Sequence, residues 1–212
     1  VYPNDKVGAE LWKNSIKDGK KGAFVNLAAR NKAPINMFVT IDYDDIMKQY
    51  VITTEQELSV FDRRVHDAVC TLVANGREYF DVVQIWQVMN ATAKNNMTEK
   101  DAEEIDNSLK YKMTRVITIT PMSDYKGIRK GSKDYWGPFV LLEHIPEVIK
   151  QGIKVKDCYH VLSVPILLRF SKATGQLITG PMSMLQKTPV NKTREIQSMQ
   201  DYLVRRVKSK TQ

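Results

Sequence analysis

The sequence predicts an α+β fold, and two observations carry that prediction. Apolar residues recur at spacings of three and four in consecutive segments between residues 58 and 113, as they do on the buried side of an α-helix. β-Branched and aromatic residues instead dominate residues 35–43, 115–120 and 153–170, as they do in strands. Because strands flank the helical region on both sides, helices and strands are expected to share one core.

Composition narrows the class of protein. The chain has 212 residues, of which 42% are hydrophobic and 26% charged, so it can bury a core without disulfides or metal. Residues 1–34 are polar and are expected to form an arm or one weak helix. No apolar run approaches the roughly 18 residues that a membrane span needs, and the N-terminus lacks a signal-peptide core. We therefore expect a cytoplasmic protein.

The first elements are a strand and a long helix. Residues 35–43 are expected to form the strand, and Thr53 or Thr54 to cap the helix, since Gln56 and Glu57 complete capping boxes. The buried stripe of this helix is formed by Leu58, Phe61, Val65, Ala68, Val69, Leu72 and Val73, and Cys70 lies on the same side. Asn75-Gly76 is expected to end the helix.

Two shorter helices follow. Residues 78–80 allow one strand-like step, after which Asp81 can cap a helix with Gln84 as its capping partner. The apolar positions of that helix are Val82, Ile85, Trp86 and Met89. After a turn over residues 90–97, Thr98 begins a third helix with a buried stripe of Ala102, Ile105, Leu109 and Met113.

A long basic loop follows the third helix. A strand over residues 115–120 leads into a loop at 121–138, and a strand resumes at 138–144. The loop holds Tyr125, Tyr135 and Trp136 beside the cations Lys126, Arg129, Lys130 and Lys133. Helix, short step, helix, turn, helix, strand, loop, strand is the order of a winged helix-turn-helix. We therefore predict a winged-helix domain over residues 35–190, with this loop as an elongated basic wing.

The C-terminal part adds a β/α segment. Residues 153–170 are expected to form strands interrupted at Pro165, and residues 177–187 a turn that leads into a short helix. Asn191 or Thr193 can cap a final helix with Ile196, Met199, Leu203 and Val207 on its apolar face. Residues 191–212 are thus interpreted as a basic C-terminal helix with Arg205, Arg206, Lys208 and Lys210, suited also to begin a second winged-helix domain.

Charge is distributed unevenly along the chain. The net charge is +8, and it divides into 8 − 6 = +2 for residues 1–50, 5 − 11 = −6 for 51–108 and 19 − 7 = +12 for 109–212. A positive half of this size attracts phosphate backbones or acidic partners, although excess lysine also serves solubility.

Catalytic and metal-binding signatures are absent from the sequence. His66, His144 and His160 lie outside metal-ligand spacing of one another, and Cys70 and Cys158 form no CxxC pair. Phosphate-loop, dinucleotide-binding and GxSxG patterns do not occur. The carboxylates Asp42, Asp44 and Asp45 suit an exposed turn better than a cation site. We expect no catalytic residues, no cofactor and no metal.

The predicted wing has two interpretations. Its cations can reach phosphates while Tyr or Trp contacts sugars or bases, or it is a solvated loop whose aromatic residues support the hairpin. Trp136, beside Gly137-Pro138, is expected to be a packing anchor rather than a base contact.

The third helix also has two interpretations. Its N-terminal half is acidic, which stabilises the helix dipole but repels phosphate. Its distal cations Lys110, Lys112 and Arg115 can hold a DNA backbone. Alternatively, Glu99, Glu103 and Glu104 form a surface that binds a protein partner.

The segments VFDRRVHDAVCTLVANGREYFDVVQIWQVMNA and MTEKDAEEIDNSLKYKMTRVITI resemble the N-terminal winged-helix domain of replication initiators from plasmids and mobile elements of Gram-positive bacteria. HVLSVPILLRFSKATGQLITGPMSMLQ and PVNKTREIQSMQDYLVRRV resemble the exit from that domain and the start of the next. The resemblance covers roughly residues 35–207. It implies a non-enzymatic initiator that binds double-stranded DNA and helps to load host replication proteins.

Under this hypothesis the DNA-binding residues are the cations of the distal third helix, the wing and the C-terminal helix: Lys110, Lys112, Arg115, Lys126, Arg129, Lys130, Lys133, Arg205, Arg206 and Lys208. A homodimer is compatible with the hypothesis. The rival hypothesis is a winged-helix interaction module that regulates or inhibits a partner protein or nucleoprotein complex.

Overall fold

The computed structural model describes residues 35, 37–42, 50–54, 58–121, 134–145, 148–150, 153–155, 158–182 and 193–209, so the predicted arm at 1–34 lies outside the described residues. Within this part of the chain, five α-helices and ten β-strands alternate, which confirms the α+β class. Their order is β1 (Met37–Ile41), β2 (Tyr50–Thr54), α1 (Val60–Ala74), β3 (Tyr79–Asp81), α2 (Val82–Met89), α3 (Glu99–Asn107, continued by a π-helical turn at Ser108–Lys112), β4 (Val116–Pro121), β5 (Tyr135–Pro138), β6 (Leu142–Ile145), β7 (Val148–Lys150), β8 (Ile153–Val155), β9 (Cys158–Val161), α4 (Ile166–Thr174), β10 (Leu177–Pro181) and α5 (Arg194–Ser209).

The described strands form four small antiparallel sheets. Their strand orders are β1-β10, β2-β4-β5, β3-β9-β6 and β7-β8. Side chains from α1, α2, α3, α4 and the sheets β1-β10, β2-β4-β5 and β3-β9-β6 share one apolar core, in which Leu72, Ile85, Leu109 and Phe170 are inaccessible to solvent. These three sheets are therefore parts of one packed body rather than separate layers.

The strand predicted over residues 35–43 is confirmed as β1. Phe38, Val39 and Ile41 are buried, and the backbone N–H of Val39 donates to the Thr71 hydroxyl of α1 at 2.9 Å. β1 thereby lies against α1 on one side and pairs with β10 along its length.

The start of α1 differs from the prediction. Ser59 caps it, and the Asp62 side chain accepts from the Ser59 backbone N–H at 2.9 Å, which completes the capping box. Thr53 and Thr54 cannot cap this helix because both belong to β2, which pairs with β4. The predicted stripe is confirmed from Phe61 to Val73, as is the end of α1 at Asn75, whereas Leu58 packs against the core from a position before the helix.

The caps predicted for α2 and α3 are both confirmed. The Asp81 carboxylate accepts from the Gln84 backbone N–H at 2.7 Å, and the Thr98 hydroxyl accepts from that of Asp101 at 3.1 Å. Each capping box uses a residue three positions later, so both helix starts follow from local sequence.

The first strand of the β4-β5 hairpin is confirmed, but its second strand begins at Tyr135, inside the predicted loop. Residues 135–138, expected as loop, form β5 and pair with β4, so Ile119 lies opposite Tyr135 and Val116 opposite Pro138. Gly137 has a φ of +145°, and a Cβ there would lie 3.7 Å from the Ile166 side chain. The distance is an ordinary van der Waals contact, so glycine is favoured here by the backbone conformation and not by the packing of α4.

A longer hairpin extends from residue 142 to 161. β6 pairs with β9 nearer the core, and β7 pairs with β8 farther along, with Lys150 opposite Ile153. β9 also pairs with β3, the short strand between α1 and α2.

Two assignments after Pro165 are wrong. Ile166–Thr174 is the helix α4 rather than strand, because its apolar residues bury one helical face, and Gly175 ends it at a φ of +73°. A short apolar run bounded by proline suits a buried helix as well as a strand. Leu177–Pro181 is the strand β10 rather than a turn, because β1 supplies its hydrogen-bonding partner.

The final helix is confirmed as α5, but the described residues of its apolar face are exposed rather than buried. Among the side chains described on this helix, Gln197 and Val204 are buried, whereas Ile196, Met199 and Leu203 are 43%, 64% and 52% exposed. Gln197 faces the body because its side-chain carbonyl accepts from Arg64 at 3.1 Å. A long-range hydrogen bond therefore sets the rotation of this helix.

Candidate nucleic-acid interface

The α3 helix presents one face to the core and the opposite face to solvent. Ile105, Leu109 and Met113 are fully buried, at the helical spacing that the sequence predicted. Glu103, Asn107 and Tyr111 are exposed and follow one another at intervals of four, so they line the outer face. The core thus holds the inner face of α3 in place and leaves its outer face accessible to solvent.

A π-helical turn changes the geometry of this helix in its second half. The Met113 backbone N–H donates to the Ser108 carbonyl at 3.0 Å, one residue beyond the usual α-helical partner. The Ser108 hydroxyl donates to the buried Asp62 carboxylate at 2.7 Å, which ties this turn to α1. π-Helical turns are rare, and they occur frequently at functional sites.

Asp106 connects α3 to the β3-β9-β6 sheet. It accepts a hydrogen bond from the Tyr159 hydroxyl of β9, and the Lys110 ammonium lies 2.7 Å from its other oxygen. Lys110 is therefore partly neutralised by a carboxylate of its own helix, and its charge is less available to a ligand than the sequence suggested.

The three predicted cations of the distal helix differ in exposure. Lys110 and Lys112 are half-buried, whereas Arg115 is exposed. The Arg115 Nε donates to the Tyr111 carbonyl at 3.3 Å, which holds the guanidinium beside the outer face of α3. Among these three residues, Arg115 has the best position for a phosphate contact.

The acidic residues of α3 lie in its N-terminal half, apart from the uncharged polar residues of its C-terminal half. Glu99 and Glu103 are exposed, and Glu104 is half-buried, all within residues 99–104. From Asn107 onward the outer face carries Asn107, Tyr111 and Thr114 and ends at Arg115. The helix therefore has an acidic N-terminal half and a neutral-to-basic C-terminal half.

Sequence reasoning missed Asn107 and Tyr111. Both are polar or aromatic residues without net charge, so a search for cations passed over them. The signal was present in the helical period, since the positions that face away from Ile105 and Leu109 include both residues.

The remaining predicted contacts lie where side chains are not described. Lys126, Arg129, Lys130 and Lys133 are outside the described residues, as are the carboxylates Asp44 and Asp45. The backbone of Arg205, Arg206 and Lys208 belongs to α5, whose C-terminal side chains are likewise not described.

The two aromatic residues of β5 have opposite roles. The Tyr135 ring packs edge-on against Phe170 with centroids 5.2 Å apart, so it supports the hairpin as one interpretation expected. Trp136 is 75% exposed, so its assignment as a packing anchor is wrong. Successive residues of a strand point to opposite faces, and Tyr135 takes the inward position.

The buried polar residues form a structural network. Cys70 Sγ lies 3.6 Å from the His66 ring, and burial, assisted by the charge of Asp67, raises the pKa of the Cys70 thiol well above its usual value. A thiol held neutral in this way is a poor nucleophile. Among the described residues no three His, Cys, Asp or Glu side chains cluster as metal ligands would.

A small pocket lies between β1, α1, α2 and α5. Its polar wall is occupied internally, because Arg64 donates to the Met89 carbonyl at 2.7 Å and the Thr40 hydroxyl donates to Asp67 at 2.9 Å. These contacts indicate a structural gap beneath α5 rather than a site built for a ligand.

Two further findings bear on function. Among the helices that the structure describes, none combines the length and the apolar character that crossing a bilayer requires. No protein-family model, curated protein or solved structure matches the chain.

Proposed function

We propose that the chain is a non-enzymatic DNA-binding protein with a winged-helix core, resembling the replication initiators of plasmids and mobile elements, and that α3 contacts duplex DNA through its C-terminal half. The observation that carries the proposal is the outward face formed by Asn107, Tyr111, Thr114 and Arg115, on a helix whose opposite face is locked into the core.

The strand order supports a winged-helix core. In that fold the short strand between the first two helices joins the sheet of a hairpin that follows the third helix. Here β3 lies between α1 and α2 and pairs with β9, and β9 pairs with β6. We therefore assign the wing to the β6-β9 hairpin with its β7-β8 extension, and treat β4-β5 as an insertion that pairs with β2.

The proposed wing has no net charge, because its three lysines are balanced by Glu143, Glu147 and Asp157 (3 − 3 = 0), but the lysines lie together within residues 150–156 of the sequence. In the sequence the hairpin carries Lys150 on β7, Lys154 on β8 and Lys156 just after β8. Lysines on a hairpin can hold phosphates beside the groove that a recognition helix enters. The positive charge of residues 109–212, +12 from 19 basic and 7 acidic groups, adds a long-range attraction for DNA.

The side chains on α3 are suited to two different contacts with DNA, one to a base and one to the backbone. An asparagine such as Asn107 can hydrogen-bond an adenine edge with two bonds, whereas the guanidinium of Arg115 can hold a phosphate. The acidic half of α3 repels the backbone, so the helix is expected to approach the groove with its C-terminal end.

Selection from a random duplex pool tests this proposal. Wild-type protein is expected to enrich a preferred sequence, Asn107→Ala to relax the preference at one base pair, and Arg115→Ala to weaken binding evenly over all sequences. Lys172→Ala is the matched control, because Lys172 is an exposed cation on α4 and should leave both properties unchanged. Failure to enrich any sequence, or relaxation by Lys172→Ala alone, contradicts the proposal.

One observation favours a second candidate, a protein-interaction module that regulates a partner protein or nucleoprotein. Glu99 and Glu103 are exposed at the free end of α3, where an acidic patch can bind a basic partner. Glu103→Lys separates the candidates, because removing a negative charge should strengthen duplex binding but weaken binding of a basic protein. Unchanged duplex binding together with weaker binding of a basic protein by Glu103→Lys would favour the second candidate.

A further inference from the structure

The β2-β4-β5 sheet has one buried and one solvent-facing surface. On the inner side Ile117 and Ile119 are inaccessible to solvent, and Tyr50 contacts Phe170 of α4 with ring centroids 4.7 Å apart. Residues directly opposite each other in an antiparallel pair share a face, so the register fixes which side chains lie outside.

The outer surface is uncharged and carries one large exposed ring. Thr53 lies opposite Thr118, and Thr118 lies opposite Trp136, so these three residues form one row across the three strands. The flanking rows hold the remaining outer residues, which are Val51, Thr120, Val116 and Pro138. We call these seven residues the outer sheet face.

The exposure of this face is high for apolar groups. Trp136 is 75% exposed, Val116 53% and Val51 46%. Single exposed apolar residues are ordinary, but a row that joins an exposed indole to hydroxyl groups is a surface suited to a ligand. The core is complete without it, since Tyr135 and not Trp136 anchors β5.

We propose that the outer sheet face binds single-stranded DNA by stacking an unpaired base on Trp136. Every base offers a flat π surface, and stacking on an aromatic side chain is the general way in which proteins hold unpaired strands. In duplex DNA each base face is covered by the neighbouring base pair, so Trp136 cannot stack on it there. The hydroxyls of Thr53 and Thr118 can hydrogen-bond phosphate or sugar oxygens next to the stacked base.

Charge complementarity favours a polyanion over a protein as the occupant. The outer sheet face itself has no carboxylate, and the exposed Arg115 directly precedes β4. In the sequence, residues 122–134 join β4 to β5 with four cations, Lys126, Arg129, Lys130 and Lys133, against two carboxylates, Asp124 and Asp134. The choice of DNA over RNA rests on the proposed function, whereas the stacking itself does not.

Binding to oligothymidine of about 16 nucleotides tests this proposal, because that length matches the larger single-strand site sizes. Trp136→Ala is expected to weaken binding roughly 5- to 150-fold, the effect of losing one base-aromatic stack. Trp136→Phe should retain part of the affinity. Tyr202→Ala is the matched control, because Tyr202 is an exposed aromatic residue on α5 and should change nothing.

Changing the DNA strand instead of the protein provides two further controls. An abasic strand of equal length keeps the phosphates but lacks bases, so it should bind wild-type protein as weakly as oligothymidine binds Trp136→Ala. Equal binding of the abasic strand, or no binding of oligothymidine, overturns the proposal, and the latter would leave a protein as the occupant. Tighter binding of oligouridine overturns the assignment to DNA.

Duplex recognition by α3 and single-strand binding by the outer sheet face can be disproved independently. Asn107→Ala should alter duplex recognition and leave oligothymidine binding unchanged, whereas Trp136→Ala should do the opposite. Because the Trp136 side chain is outside the core, an unchanged melting temperature is expected for its variants. A shared loss of both activities in one of these variants, with its melting temperature unchanged, contradicts the separation of the sites.

Discussion

Asp81 places a carboxylate in the interior because it caps α2. It is 5% exposed, and burial raises its pKa above the usual 3.8, while hydrogen bonds from the Gln84 and Val83 backbone oppose the shift. A carboxyl group whose pKa is higher in the folded than in the unfolded state binds more protons when folded. Its contribution therefore falls as the pH rises from 3.8 through the raised value.

Replacing Asp81 tests the predicted direction in which its contribution to stability changes with pH. Asparagine caps helices as well as aspartate, so Asp81→Asn should be at least as stable as wild type at neutral pH, with an advantage that disappears towards low pH. Asp81→Ala should lose about 0.5–2 kcal/mol. Urea unfolding between about pH 3 and 7 measures both differences. An asparagine variant whose relative stability falls with rising pH would contradict the account.

Helix caps also show how far single residues could be predicted. Asp81 was identified because Gln84, three residues later, can complete its capping box, and Thr98 because it directly precedes the apolar stripe of α3. The capping-box rule also selected Thr53 and Thr54 and overlooked Ser59, whose partner Asp62 is not the usual Glu or Gln. Pairing of β2 with β4, which is remote in sequence, decided that case.

At the scale of elements, α3 depends on its tie to β9. The Tyr159 hydroxyl donates to Asp106, and the same carboxylate holds Lys110. This arrangement fixes the end of α3 that is proposed to meet DNA. The contact with Tyr159 was not predictable from sequence, because only tertiary structure brings β9 to α3, whereas the Asp106–Lys110 pair has the i,i+4 spacing of neighbours on one helix.

Tyr159→Phe tests this tie. Loss of a hydrogen bond to a charged group should destabilise the protein by about 1.5–3 kcal/mol and increase amide hydrogen exchange in α3. Chemical unfolding and exchange measure the two effects. Tyr202→Phe, which removes an exposed hydroxyl on α5, should leave both unchanged. Equal stability of Tyr159→Phe and wild type would show that the contact contributes little.

Elements were predicted well where one period dominated and poorly where an apolar run suited two structures. The stripes of α1, α2 and α3 followed from spacing alone, but Ile166–Thr174 was assigned to strand because periodicity cannot separate a short buried strand from a buried helix. β10 was missed because its hydrogen-bonding partner β1 lies near the other end of the described chain.

At the scale of the whole molecule, the sequence predicted the α+β class and the helical half of the core. It did not predict that β6 and β9, rather than β4 and β5, share a sheet with β3, since strand pairing depends on contacts between distant segments. The candidate site was predicted in part. Arg115 was identified from its charge, whereas Asn107 and Tyr111 emerged once the exposed face of α3 was known.

The uneven distribution of charge along the chain predicts that electrostatic attraction contributes strongly to duplex binding. Residues 109–212 carry 19 − 7 = +12, while residues 51–108, which include the acidic half of α3, carry 5 − 11 = −6. A protein with this asymmetry should bind DNA through its C-terminal half and release counterions as it does so.

The salt dependence of binding to random-sequence duplex DNA tests the central claim most directly. About four phosphate contacts predict that log K falls with log salt at a slope near −3.6, and Arg115→Ala should reduce the steepness by about 0.9 while Lys172→Ala leaves it unchanged. A slope near zero, or a slope that Arg115→Ala does not alter, would contradict a duplex contact at the C-terminal end of α3.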